Sequence, residues 1–298
     1  MSRIDEALRR KGDRGVERGS NGAQSLFVSA WDQEPGPRPV EALRPAPSVA
    51  PAAPSGDIIT VVREPHQSDS VRTLTKAWKE RLATAPEANQ VLVEQFRRLA
   101  GTLHQAQATS GIRVIMLTSA SPDDGKTLTA VNLALVLSES YRRRVLLIDA
   151  DLRRPSLGGS TGLSSAPGLT DALAAKADEK LSIIQLTPTL MLLPAGRPDP
   201  DPTGGLTSLR MRQILEEAAG LFDWVILDAP PMGPLADAQL LSQMVDGAVF
   251  VIRAGQTQHD VIQKAIDSIG RERILGVVLN GVANMPAEQY AYLSENER

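Results

Sequence analysis

The run Val114-Ile-Met-Leu-Thr-Ser-Ala-Ser-Pro-Asp-Asp-Gly125-Lys126-Thr127-Leu128 holds the pattern from which the rest of the chain can be laid out. Val114–Thr118 is apolar without alternation, as a strand covered on both faces must be. A turn of Ser, Pro, Asp and Gly follows, and Lys126 opens a helical stretch running to Ser138. Strand, glycine-bearing loop and helix in that order form the setting of a phosphate-binding loop. Its backbone N–H groups and the helix N-terminus cradle phosphates. The lysine reaches the β- and γ-phosphates, and the next hydroxyl ligates Mg²⁺. Ser121, Asp123, Asp124, Gly125, Lys126, Thr127 and Leu128 are therefore the expected nucleotide-binding set. The loop departs from G-x-x-x-x-G-K-[ST] at its first position, Ala120.

Outward from this loop, further apolar strands are expected at Val145–Asp149, Leu190–Pro194, Trp224–Asp228, Ala248–Arg253 and Ile274–Asn280. Helical spacing over Leu206–Ala219 and His259–Ile269, and from Val91 to Leu103, separates or precedes them. Alternating strands and helices predict an α/β fold, a doubly wound and mostly parallel sheet with helices on both faces. Ligands in such folds sit at the carboxyl ends of the strands. Two more of those ends are acidic. Asp149 and Asp151 close one strand, followed by Arg153 and Arg154, and Asp228 closes another. Mg²⁺ beside a nucleoside triphosphate takes carboxylate oxygens, and phosphoryl transfer needs a group to orient the attacking hydroxyl. Thr127, Asp149, Asp151 and Asp228 are the expected metal side. Lys126, Asp149, Asp151 and Arg153 are the expected catalytic set, with Arg153 neutralising charge on the transferred group.

The other third of the chain is different. Seven of the twenty residues from Pro35 to Pro54 are proline, too few of the rest being apolar to offset the cost of ordering. Residues 1–85 are expected to be a largely disordered arm with a short helix near 2–11. Residues 86–285 are expected to be the nucleotide-dependent domain and 286–298 a tail. Asp57–Val62 reads as either a stray strand or a sticky patch. Among 298 residues there is no cysteine, which excludes disulfides, thiolate metal sites and thiol nucleophiles. A net charge of −3 gives no global pull toward nucleic acid. The charged start and the lack of an ~18-residue apolar run predict a cytoplasmic protein without a membrane span.

Pro-Asp-Asp-Gly-Lys-Thr (122–127), Leu-Ile-Asp-Ala-Asp-Leu-Arg-Arg-Pro (147–155) and Val-Ile-Leu-Asp-Ala-Pro-Pro (225–231) resemble the bacterial tyrosine autokinases of capsule and exopolysaccharide synthesis. The three blocks correspond to that family's Walker A, A′ and B motifs, on a P-loop fold of the MinD/ParA type. Gly168–Leu173, Leu193–Gly196 and Gly276–Gly281 add to the likeness, which spans roughly residues 90–285. The resemblance implies an ATP- and Mg²⁺-dependent protein-tyrosine kinase. Asp149 would be its base or a metal-side carboxylate, and Asn280 its adenine-facing residue. It also implies a membrane-embedded polysaccharide co-polymerase as activator, recruiting the chain to the inner face of the membrane.

Three departures stand out. Asp123 occupies a loop position where that family has glycine, and Asp is among the residues that tolerate positive φ. The family's ring-forming Glu-x-x-Arg-x-x-Arg reads here as Glu94, Arg97 and Ala100, with Arg98 as the one candidate substitute. Instead of a tyrosine-rich tail there are two tyrosines, Tyr290 and Tyr292, expected as acceptors that dock into another copy. Two alternatives remain at this point: a partition or division-site ATPase switch on the same fold, and a catalytically weak nucleotide-binding regulator. The first places a lysine five residues before the loop lysine, where this chain has Ser121.

Overall fold

The computed structural model describes residues 24–29, 58–62, 82–83, 89–158, 166–175, 179–233 and 235–282. Along the chain come strands β1 (Gln24–Ser29) and β2 (Ile59–Val62), helix α1 (Gln90–Ser110), β3 (Val114–Ser119), α2 (Lys126–Glu139), β4 (Val145–Asp149) and α3 (Leu169–Ala174). Then follow β5 (Leu181–Gln185), β6 (Leu190–Leu193), α4 (Thr203–Leu206), α5 (Leu209–Leu221), β7 (Trp224–Asp228), α6 (Asp237–Ser242), β8 (Gly247–Arg253), α7 (His259–Ile269) and β9 (Ile274–Val282).

The strands form one nine-stranded sheet in the order β1-β9-β8-β3-β7-β4-β6-β5-β2. Only β1 against β9 and β5 against β6 are antiparallel. The central strands β3, β4 and β7 are buried along their whole length, which is why their sequences carry no polar alternation. One face packs α3, α5, α6 and α7 through residues such as Met211, Ile214, Leu241 and Ile266. The other packs α1 and α2 through Phe96, Leu103, Leu133 and Leu137. The expected doubly wound α/β architecture is what the chain forms.

Local chemistry sets the element ends. Asn89 caps α1, its side chain accepting from the Val91 N–H at 2.9 Å, and Gly111 ends it in the left-handed region at φ 70°. The helix expected over Leu206–Ala219 is broken at Ser208, whose hydroxyl accepts from the Met211 N–H at 3.1 Å and so starts α5. Apolar all round, α2 is buried along most of its length, and it leads from the phosphate loop straight into the core.

Two segments of the region expected as an arm are strands at the two edges of the sheet, and the short helix expected near 2–11 lies outside the described residues. β1 pairs with β9, and β2 pairs in parallel with β5. Ile59 is buried in the core, and the Glu217 carboxylate of α5 accepts from the N–H groups of Ile58 and Ile59 at 2.8 and 2.7 Å. Leu82 and Ala83 are also buried, the Ala83 N–H donating to Asn132 of α2 at 2.5 Å. Glu217→Ala removes the only fork between α5 and the start of β2 among the described hydrogen bonds. It is expected to cost about 1–3 kcal/mol in urea unfolding and to expose residues 57–62 to limited proteolysis.

Candidate nucleotide site

Three parallel strands end level with one another. Leu117 of β3 pairs with Asp228 of β7, which in turn pairs with Asp149 of β4. Parallel register thus puts two carboxylates side by side at the mouth of the phosphate loop. Asp149 is fully buried and tied to the backbone beyond its strand. Its Oδ2 accepts from the Ser156 and Leu157 N–H groups at 3.1 and 3.0 Å, and its Oδ1 from the Asp151 N–H at 3.3 Å. Asp151 in turn accepts from the Arg154 N–H at 3.1 Å. Asp228 is buried as well, and neither of its oxygens has a hydrogen-bond partner among the described residues.

These environments move the titrations. Burial pushes the Asp228 carboxyl far above the usual carboxylate range, and the neighbouring Asp149 charge pushes it further. Burial likewise raises Asp149, against the pull of the Leu157 and Ser156 N–H groups. Asp151 is raised by burial too, opposed by its hydrogen bond from Arg154. A dry strand end with two adjacent acids and orphaned oxygens is fitted to a cation. Among the described residues, however, no three acidic or histidine side chains form a cage of their own. The donor set therefore suits Mg²⁺, which keeps waters and shares its shell with phosphates, and Asp228, Asp151 and the Thr127 hydroxyl are the residues that would hold it, with Asp149 beside them. At present the Thr127 hydroxyl is 3.0 Å from that of Ser156, which joins the metal-side residues to the loop after β4.

The loop itself has two devices. Asp123 adopts φ 62° and Gly125 φ 98°. A Cβ on Gly125 would lie 1.9 Å from the Asn280 side chain, so that position admits nothing larger. Asp124 and Asp123 part company: Asp123 is exposed, whereas Asp124 turns inward and is buried. Its Oδ2 accepts from the Ser121 N–H at 3.0 Å and its Oδ1 from the Thr257 hydroxyl at 2.8 Å. The Asp124 carboxylate is thus committed to the Ser121 N–H and to Thr257, while Lys126 and Thr127 occupy the first turn of α2. Asn280, expected to face a base, donates from its side chain to the Asp124 carbonyl at 2.8 Å.

Arg153 departs most from expectation. Its guanidinium forks onto Asp237 at the start of α6, Nε at 2.5 Å and Nη2 at 3.2 Å, and its Nη1 donates to the Pro200 carbonyl. Its donors hold two loops together and are not aimed at a transferred group. The cause is Asp237, a buried carboxylate that nothing in the local sequence marks as a partner. Asp237, Arg253 and Thr257 were invisible to motif reading because each acts across a long stretch of chain. The motifs at 168–173 and 193–196 also meet. Leu169 and Thr170 donate to the Pro194 and Ala195 carbonyls at 2.8 Å each, and a Cβ on Gly168 would come within 2.2 Å of that backbone. Tyr290 and Tyr292 lie outside the described residues.

A family model described as the CobQ/CobB/MinD/ParA nucleotide binding domain matches residues 115–298. The tyrosine-protein kinase YwqD of Bacillus subtilis is 34% identical over 202 residues, covering 67% of this chain and 85% of that protein. The tyrosine-protein kinase CpsD of Streptococcus agalactiae serotype Ia is 31% identical over 179 residues, covering 59% and 77%. Among solved structures, the kinase domain of the Escherichia coli tyrosine kinase ETK superposes with a TM-score of 0.60 at 32% identity, over 65% of this chain and 78% of that one.

The buried acids make a testable statement about the metal-free protein. Because the native state holds the Asp228 proton to a higher pH than the unfolded chain, its contribution to stability is full in acid. That contribution is lost as pH rises from the ordinary carboxylate range through the elevated native value. Asp228→Asn cannot ionise. Its nucleotide-free melting temperature is expected to exceed that of the parent at about pH 8 by several degrees, at about 2–4 °C per kcal/mol. The gap should close toward about pH 4, near the unfolded carboxyl's own titration. Parallel melting curves across that range would contradict the assignment.

Proposed function

Since the chain belongs to the bacterial tyrosine-protein kinases built on the CobQ/CobB/MinD/ParA nucleotide-binding domain, we propose that it transfers the γ-phosphoryl group of ATP to tyrosines of its own tail. One copy acts on the next, in the control of exopolysaccharide or capsule polymerisation and export. The observation that carries this reading is the pair Asp149–Asp228 at the mouth of the loop, with the Asp228 carboxylate free of backbone donors and facing Thr127 and Lys126. Such an arrangement suits a cation that arrives with phosphates.

In this reading the residues divide the labour as follows. Gly125 and the first turn of α2 give N–H groups to the phosphates. Lys126, buried at the helix start, reaches the β- and γ-phosphates and follows the charge that moves between them. Thr127, Asp228 and Asp151 form the metal side. Mg²⁺, when bound, would neutralise charge developing on the phosphates. Asp149, held in place by three N–H groups, orients the incoming tyrosine hydroxyl and accepts its proton. The walls exclude water: Asp149 and Asp228 lie in a dry layer where each of these interactions is stronger than in solvent.

The acceptors are Tyr290 and Tyr292. Tyr141, the only other tyrosine, follows α2 at the far end from Lys126, about 20 Å away at 1.5 Å per residue. Its hydroxyl donates to the Arg97 carbonyl at 3.1 Å and its ring tilts against His104, so it is fixed away from the phosphates. No described helix is long and apolar enough to cross a membrane, and the activator in this reading is a membrane-embedded polysaccharide co-polymerase. Self-association runs through tail docking.

Incubation of the purified chain with ATP and Mg²⁺ is expected to yield phosphotyrosine at Tyr290 and Tyr292 and none at Tyr141, read by mass spectrometry. Lys126→Ala should lower the yield by at least about 100-fold without shifting the melting temperature by more than a degree or so. Mixing Lys126→Ala chains with active chains lacking residues 286–298 should label the inactive chain's tail. An unlabelled tail in that mixture refutes transfer between copies, and phosphotyrosine made by Lys126→Ala alone refutes the site.

A further inference from the structure

The phosphate loop is not self-supporting. Asp123 bears a side chain yet sits at φ 62°, a conformation residues with a Cβ rarely adopt. The next residue, Asp124, buries a carboxylate beside it. What holds both comes from the turn after β8, Arg253-Ala-Gly-Gln-Thr257, some 130 residues further on. Arg253 Nη1 donates to the Asp123 carbonyl at 2.9 Å. The Thr257 hydroxyl, itself buried, donates to Asp124 Oδ1 at 2.8 Å and accepts from the Arg253 N–H at 3.2 Å. That turn is closed by Gly255 at φ 77° and by the Gln256 and Thr257 N–H groups, which both donate to the Arg253 carbonyl. The Ala254 N–H donates to the Asn280 carbonyl at 2.7 Å, and the Asn280 side chain returns to the Asp124 carbonyl. Loop, turn and strand end make a closed circuit of hydrogen bonds.

We propose that Thr257 and Arg253 are positioning residues of the nucleotide site, shaping the phosphate loop through Asp124 and Asp123. Thr257 is the keystone, because one hydroxyl satisfies a buried carboxylate and the turn that carries Arg253 at once. Asp124 then pins the Ser121 N–H, so the loop's curvature between Ser121 and Gly125 is set before any phosphate arrives. Pre-set curvature lowers the ordering cost of binding. It therefore acts chiefly on nucleotide affinity, and less on the transfer step made by Lys126 and the strand-end acids. The inference rests on the nucleotide-site reading above but does not depend on which group receives the phosphate.

Thr257→Val keeps the shape and deletes the hydroxyl, leaving a buried carboxylate oxygen and the Arg253 N–H unpaired. Thr257→Ser restores the hydroxyl. In the full chain, Thr257→Val is expected to weaken binding of fluorescent ATP analogue by about tenfold, the loss that one unsatisfied buried group brings. KM for ATP should rise in step, while kcat stays within about threefold. Thr257→Ser should bind within about twofold of the parent. Arg253→Met, on the exposed side of the circuit, gives the same direction with less risk to folding and is expected to weaken binding about threefold. Parental affinity in both Thr257→Val and Arg253→Met overturns the proposal, as does Thr257→Ser behaving like Thr257→Val. Because binding is read directly, a parent that binds nucleotide yet makes no phosphotyrosine would count against the kinase reading alone.

Discussion

Two carboxylates sharing one dry strand end set the terms for everything around them. Asp149 and Asp228 are neighbours because β4 and β7 run parallel and in register, and they are dry because helices cover both faces of the sheet. Neither position is available to a compact fold without compensation, since a buried charge with no partner is among the most costly things a protein can hold. Asp149 is compensated from within by three backbone N–H groups of the following loop. Asp228 receives no backbone N–H, and only the nearby Thr127 hydroxyl and Lys126 charge ease its burial. That asymmetry is chemically useful. One acid is oriented and stays put, while the other has its lone pairs free for a cation that arrives with phosphates.

A second layer of interactions keeps the loops around these acids in place, and arginine does that work twice. Arg153 ties the loop after β4 to Asp237 of α6 and to the Pro200 carbonyl. Arg253 ties the turn after β8 to the phosphate loop. Arg153 was expected to meet the transferred group, yet it is occupied by a carboxylate and a carbonyl, as Arg253 is by the Asp123 carbonyl. The planar fork of the guanidinium suits this role, since it spans two acceptors at fixed angles and never loses its charge. Lys126, a point charge on a flexible stem, stands at the helix start where the phosphate loop ends.

Most of the fold was legible because the central strands advertise themselves. Val114–Ser119, Val145–Asp149 and Trp224–Asp228 are apolar end to end, and each ends in the polar residues that make the site. The edges were less legible. β5 reads Leu-Ser-Ile-Ile-Gln, with Ser182 exposed, and so lacks the continuous apolar run of a strand covered on both faces. β2 lies in Asp57–Val62, which reads as either a stray strand or a sticky patch, while β1 lies ahead of the proline-rich stretch with no strand expected there, and their partners β5 and β9 lie far along the chain. In the site, the loop lysine, threonine and strand-end acids were identified by local pattern. Thr257, Arg253 and Asp237 were not, because their meaning exists only across 84 to 133 positions of sequence separation. Charge alone assigned Arg153 to phosphate, and the buried Asp237 redirects it.

The first helix shows how a one-residue change alters a surface rather than trimming it. Where the resemblance expects a second arginine, Ala100 is fully buried in the core between α1 and the sheet. Arg98 does not replace it. At 3.6 residues per turn, positions 98 and 100 lie about 200° apart around the axis, so Arg98 points to the opposite side. It is paired along the helix with Glu94 at 3.6 Å, an exposed i,i+4 contact of the kind worth about 0.3–0.5 kcal/mol. Gly101 carries the point further. A Cβ there would meet the Tyr141 hydroxyl at 2.9 Å, and that hydroxyl is spent on the Arg97 carbonyl. This turn of α1 is thus packed by the protein's own Tyr141. Glu94 and Arg97 are what remain of the pattern on this helix.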